Sequence, residues 1–216
     1  MRAAWIILGW VALMTPLQVH GEAVMAVADR LAGLHLPYRY GSADPRDGGF
    51  DCSGFVQMVF REGAAIELPD EADKQLAYCR GNGQVWDASS AWTPETLQPG
   101  DLIFFAGPEP RARTSQVSHV MIYCGHNIMV GAQTQGRQLN GASAGVGYYY
   151  HPFRRPYGVP GESGDRFVGQ GRVFAYARLK TVAGTLPQAT LATLLPLVSQ
   201  EEAARALAGN VQSRYD

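Results

Sequence analysis

Two side chains in this 216-residue chain have the types and settings to work together on a carbonyl: Cys52, in Asp51-Cys52-Ser53-Gly54, and His119, in Ser118-His119-Val120-Met121-Ile122-Tyr123. Phe55, Val56, Val59 and Phe60 follow Cys52 with helical spacing, which places the thiol at a helix start. A thiol attacks as its thiolate, and a helix N-terminus offers positive dipole and free amide donors that lower its pKa from about 8.5. The amides of Cys52 or Ser53 then point where a tetrahedral oxyanion would form. Asp51 works against this, because a carboxylate beside the thiol raises its pKa unless the side chain turns to cap the helix or bind a neighbouring loop. His119 opens an apolar strand whose alternation puts it on one face and Val120, Ile122 and Cys124 on the other. A nucleophile and its base need only be close in space, so the pair points to acyl transfer. Taken singly, each has a structural reading: a small core cysteine and a hydrogen-bonded structural histidine.

The elements that must position this pair can be read from periodicity. Val24, Val27, Leu31 and Leu34 predict an amphipathic helix from Ala23 to Leu36, ending before Pro37. A Gly/Asp/Pro-rich loop, Tyr38 to Phe50, leads into the cysteine helix. A polar, poorly periodic segment runs from Asp70 to Glu95. The turn Gln98-Pro99-Gly100-Asp101 then feeds a short strand, Leu102 to Phe105, and Val117 to Cys124 and Ile128 to Gln133 form two more around the hairpin signature Gly125-His126-Asn127. Tyr148 to Tyr150 and Arg172 to Leu179 complete the strands, while 107–116 and 158–171 read as loops. The tail, Lys180 to Asp216, looks separate, with one short helix from Gln200 to Leu207. Helices first and hairpin-linked strands afterwards predict an α+β domain, with the nucleophile helix packed on a central antiparallel sheet.

The string LPYRYGS, then GFDCSGFVQMVFRE, then LQPGDLIFF and SHVMIYCGHNIMVGA, in that order, resembles the NlpC-type peptidoglycan endopeptidases, a papain-like cysteine peptidase family, over about residues 24 to 179. The resemblance implies Cys52 as nucleophile, His119 as general base, and Tyr38 beside the nucleophile, holding the carbonyl oxygen or the substrate. Ser53 supplies an oxyanion donor with Cys52. Gly100 and Asp101 match a turn, where glycine permits the backbone and aspartate caps it. The match fails at Gly131, where members of the family usually carry a polar residue, often histidine, as the third catalytic group. Gln133, two residues on and on the same strand face, can accept from a ring N–H and is the substitute third member. His151 is a reserve candidate, and His126 at the hairpin tip is too distant. The resemblance further implies hydrolysis of peptidoglycan stem peptides between D-glutamate and a diamino acid, through a thioester, with no metal or organic cofactor. Two other readings stay open: an amidase or transpeptidase using the same nucleophile on another amide, and a wall-binding domain impaired by the loss at position 131.

Composition narrows the remaining classes. Basic and acidic residues nearly balance, at 18 and 19, and only 17% of residues are charged, against roughly 25% in an average domain. Nucleic acid is therefore not an expected partner. Arg2 followed by the apolar run Ala3 to Met14 and small residues near Gly21 reads as a signal peptide over residues 1–21, and that apolar run is too short for the roughly 20 residues that a spanning helix needs. The expectation is an exported monomer without stable membrane insertion: a peptidase domain over residues 22–179 and a tail over 180–216. Cys79 and Cys124 could pair in an oxidising compartment or remain free thiols, and the cysteine spacing fits no metal site.

Overall fold

A computed structural model describes residues 16–87, 97–106, 117–151, 172–180 and 185–212. The expected signal segment up to residue 15 and the expected loops 107–116 and 158–171 lie outside the described residues. The elements are α1 (Pro16–Ala32), a 3-10 turn (Pro45–Asp47), α2 (Cys52–Ala64), α3 (Ala72–Asn82), β1 (Gly83–Asp87), β2 (Leu102–Ala106), β3 (Val117–Gly125), β4 (Ile128–Ala132), β5 (Val146–Tyr150), β6 (Arg172–Leu179) and α4 (Gln188–Gln212). The strands form one six-stranded sheet in the order β1-β6-β2-β3-β4-β5, every pair antiparallel. This is the α+β arrangement expected, with the cysteine at the start of a helix laid on the sheet.

Alternation along the strands sorts the core into two clusters. Val120, Ile122 and Cys124 of β3 pack with Phe104, Val130 and the buried face of α2, namely Phe55, Val56, Val59 and Phe60. Met121 and Tyr123 point the other way, into a smaller cluster with Ile103, Phe105, Met129 and Tyr176. The β3–β4 turn bends through Gly125, His126 and Asn127, all at positive φ, as the hairpin signature requires. Asp101 caps its turn by accepting from the Gln98 amide at 2.8 Å and holds Arg178 of β6 through two bonds of 2.7 Å, while Gly100 takes φ +93°. Cys79 and Cys124 are free and buried.

Four elements differ from the periodicity reading. α1 stops at Ala32: the chain tightens through Leu34 N–H to Leu31 O and His35 N–H to Ala32 O, His35 adopts φ +51°, and Leu34 is left half exposed. The polar stretch after Asp70 contains α3 and the edge strand β1. α3 buries only Ala72, Gln75, Leu76 and Cys79, a stripe too narrow and too polar to register as amphipathic. The C-terminal helix spans 25 residues and continues through Pro196, which sits on the solvent face where the carbonyl it leaves unbonded meets water. It docks on the main core through Leu194 and Val198, with Leu186 just ahead of it, and its Thr190 donates to Asp29 of α1 at 3.0 Å. Asp29 also accepts from the Tyr148 hydroxyl at 2.6 Å, so one carboxylate joins α1, β5 and α4.

Candidate active site

Helix α2, which opens with Cys52, begins on a fully used N-cap. One carboxylate oxygen of Asp51 accepts from the Gly54 amide at 2.6 Å and the Ser53 hydroxyl at 3.0 Å, and the other from the Gly41 amide at 2.8 Å. Asp51 therefore does both of the things expected of it, capping the helix and tying down the 38–50 loop, yet its charge still raises the thiol. That loop passes so close that a Cβ on Gly54 would lie 2.1 Å from the Ser42 carbonyl oxygen, which requires glycine there.

Cys52 is 6% exposed, and its thiol meets the backbone amides of Val120, Ser53 and Cys52 itself. These three donors favour the thiolate, but burial first and Asp51 second outweigh them and push the thiol up to about 11. Tyr38 places its hydroxyl against the thiol, and burial together with the charges of Cys52 and Asp51 holds its own pKa above the usual phenol range. The thiol opens on a cleft of about 330 Å³ walled by Tyr38, Tyr40, Ser53, Asp70, Glu71 and Ser118. Cys52, Ser53 and Tyr38 are thus brought together as the sequence pattern anticipates.

His119 stands differently. It is buried, and burial pushes its imidazole down to about 3. The ring lies 5.6 Å from that of Phe105, its cross-strand partner, on the sheet face that Met121 and Phe105 share. Its Nε2 is buried without a hydrogen-bond partner. The neighbouring Val120 amide faces the thiol, whereas the imidazole makes no hydrogen bond to it. Alternation along β3 separates its two faces, and α2 settles on the one that carries Val120 rather than His119.

Gln133 is buried at the end of β4, on the same face as His119 by alternation, and its amide donates to the Gly145 carbonyl at 3.0 Å. No bond links it to His119 Nε2. Position 131 is closed as well as bare: a Cβ on Gly131 would lie 2.5 Å from the Met121 sulfur. His151 does not serve as the reserve. Its Nε2 sits 3.1 Å from the Tyr176 hydroxyl and its ring 6.4 Å from that of Tyr123, four residues and roughly 13 Å along β3 from His119. Among the described residues, no group of three His, Cys, Asp or Glu side chains could hold a metal ion. One residue at this site escaped sequence reasoning: Gln75 of α3, fully buried, which reaches the Ser53 carbonyl at 2.9 Å. Nothing local in the sequence marks it, because its partners come from other segments.

The family model of NlpC/P60 matches residues 35–156, more than half of the chain. The chain belongs to the NlpC/P60 family. Among curated relatives it is 32% identical over 102 residues to the gamma-DL-glutamyl hydrolase of Bacillus subtilis, covering 47% of this chain and 21% of that protein. It is 34% identical over 125 residues to the bifunctional muramidase/DL-endopeptidase CwlT of the same species, covering 57% and 32%. The chain therefore spans between a fifth and a third of the length of these NlpC/P60 relatives. A crystal structure of an NLP/P60 family protein from Staphylococcus aureus, described as similar to a lipoprotein, is 30% identical with a TM-score of 0.42, covering 62% of this chain and 36% of that one. Residues 35–156, which the family model matches, include Cys52, His119 and Gly131.

Proposed function

We propose that this NlpC/P60 domain is a cysteine endopeptidase that hydrolyses an amide bond in peptidoglycan stem peptides, between D-glutamate and a diamino acid. The observation that carries the reading is the setting of Cys52: a thiol at the N-terminus of α2, met by three backbone amides and the Tyr38 hydroxyl, and opening on a cleft. At neutral pH the thiol and the imidazole are both uncharged, given their raised and lowered values. His119 is the proposed base: the Cys52 proton passes to its imidazole as sulfur attacks the carbonyl carbon. The amides of Cys52 and Ser53 hold the oxyanion, with Tyr38 beside them. The C–N bond breaks as the imidazolium returns its proton to the leaving amine. Water then gives a proton to His119 and attacks the thioester, and the released thiolate recovers that proton. Gln133, on the same face as His119 by alternation, is the proposed third member, accepting from a ring N–H.

The segment 1–21 is proposed as an export signal, which places the domain where peptidoglycan lies, and residues 22–179 as the catalytic unit. A monomer suffices for the chemistry described. The names of the relatives, a glutamyl hydrolase and a DL-endopeptidase, support the bond chosen.

A second reading, a wall-binding domain without turnover, is favoured by one observation: the unpartnered His119 Nε2 beside a closed position 131. Incubating the protein and its Cys52→Ala variant with purified peptidoglycan separates the readings. Peptides carrying a new amino-terminal diamino acid, released by the parent alone and identified by mass spectrometry, support the peptidase. Other termini point to an amidase or transpeptidase, and binding without release by both proteins points to the binding domain.

A further inference from the structure

The segment entering α3 is laced to the nucleophile helix by three successive carbonyls, the outer two directly and the middle one through Gln75 of α3. Leu68 O accepts from Gln57 of α2 at 2.8 Å, Pro69 O from Gln75 at 2.8 Å, and Asp70 O from the Ser53 hydroxyl at 2.8 Å. Gln75 closes this lacing. Its Nε2 donates both to Pro69 O and, at 2.9 Å, to Ser53 O in the first turn of α2. Its Oε1 is buried with no partner. The amide orientation is thereby fixed, since flipping it would set Oε1 against two carbonyl oxygens. A side chain that is 0% exposed and leaves a buried acceptor unsatisfied is a costly way to fill space that an apolar residue of the same shape could fill.

What this arrangement secures is the residue after the nucleophile. Ser53 is held at two points, its carbonyl by Gln75 and its hydroxyl by Asp51 and Asp70. Both contacts pin the first turn of α2 at Ser53, and the amide N–H of that residue is among the donors on the Cys52 thiol. We infer that Gln75 is a positioning residue for the reaction: through Ser53 it aims an oxyanion and thiolate donor at the reacting centre. The inference rests on Cys52 being the nucleophile, yet half of its test needs no turnover.

The test is Gln75→Met, which keeps length and volume but donates nothing, with Gln75→Leu as a second apolar variant in case Met repacks. Two quantities are measured while thermal unfolding checks that each variant is folded. The first is the pH dependence of iodoacetamide alkylation at Cys52, located by peptide mass spectrometry. Its midpoint is expected to rise in both variants, because a donor that favours the thiolate loses its aim. The second is turnover on stem peptides: kcat is expected to fall roughly ten- to hundredfold with KM within about twofold, since a displacement near 1 Å is enough for such a loss. Folded variants with the parent alkylation midpoint and kcat overturn the inference, as do losses that follow the unfolding temperature alone. If the parent proves to have no turnover, the peptidase reading fails, while the alkylation midpoint still decides the role of Gln75.

Discussion

The contact between Met121 and position 131 has a cost that can be worked out. In Gly131→Ala, the new methyl carbon would start 2.5 Å from the Met121 sulfur and 3.1 Å from its terminal methyl, where ordinary contact begins near 3.4 Å. The sulfur must retreat by about 1 Å, and Met121 is 0% exposed, packed among Ile103, Phe105, Tyr123 and Met129, so it has no solvent to move into. Overpacking of this kind costs about 1–3 kcal/mol. For a chain of this size that lowers the unfolding temperature by roughly 2–12 °C. Met121→Ala alone leaves a cavity and costs about 2–5 kcal/mol. In the double variant the alanine at 131 enters the space the methionine vacated, so the two losses should fall short of their sum by at least about 1 kcal/mol. The assay is denaturant unfolding of the four proteins of the cycle. Losses that add within about 0.5 kcal/mol would refute the packing argument, and with it the explanation of why position 131 admits no third catalytic side chain.

Three further predictions follow from the site and its electrostatics. His119 and His151 are both held near 3 in the fold against about 6.5 in the unfolded chain, so their contribution is complete above pH 6.5 and is lost as the pH falls toward 3. At pH 5 this amounts to up to about 2 kcal/mol for each histidine, and His151→Gln should halve the slope of stability against pH; an unfolding temperature that is flat from pH 7 to pH 5 contradicts this. Asp51→Asn keeps a good helix cap but removes the charge that helps raise the thiol, so the Cys52 alkylation midpoint should move down; a midpoint that stays or rises shows that Asp51 does not act electrostatically on it. Tyr38→Phe removes the hydroxyl beside the thiol and should lower kcat roughly ten- to hundredfold in steady-state assays, whereas an unchanged kcat removes Tyr38 from the mechanism.

How far the site could be read from the chain depended on where its determinants lie. The helix start at Cys52 and the strand at His119 were legible because each is written in a few consecutive residues: a cap followed by Phe55, Val56, Val59 and Phe60, and an alternating run before a Gly-His-Asn turn. The alternatives for Asp51 were legible too, and the fold uses both of them. The side of β3 that receives α2 was not, since alternation separates two faces without saying which one a helix will cover. α3 was hidden because Gln75 and Cys79 occupy half of its buried stripe, and α4 because Pro196 reads as a breaker unless its solvent-facing position is known. Gln75 was the least legible, as its role exists only once Ser53 and Pro69 are folded against it.

The central claim is that the Cys52 sulfur forms a covalent bond with the substrate acyl group. Rapid acid quenching of the protein during turnover of a stem peptide, followed by mass spectrometry of the fragment containing Cys52, tests it most directly. An acyl thioester is expected on that fragment, with neither adduct nor product in Cys52→Ala. Product formation by Cys52→Ala, or turnover by the parent with the acyl group on any other residue, would contradict it.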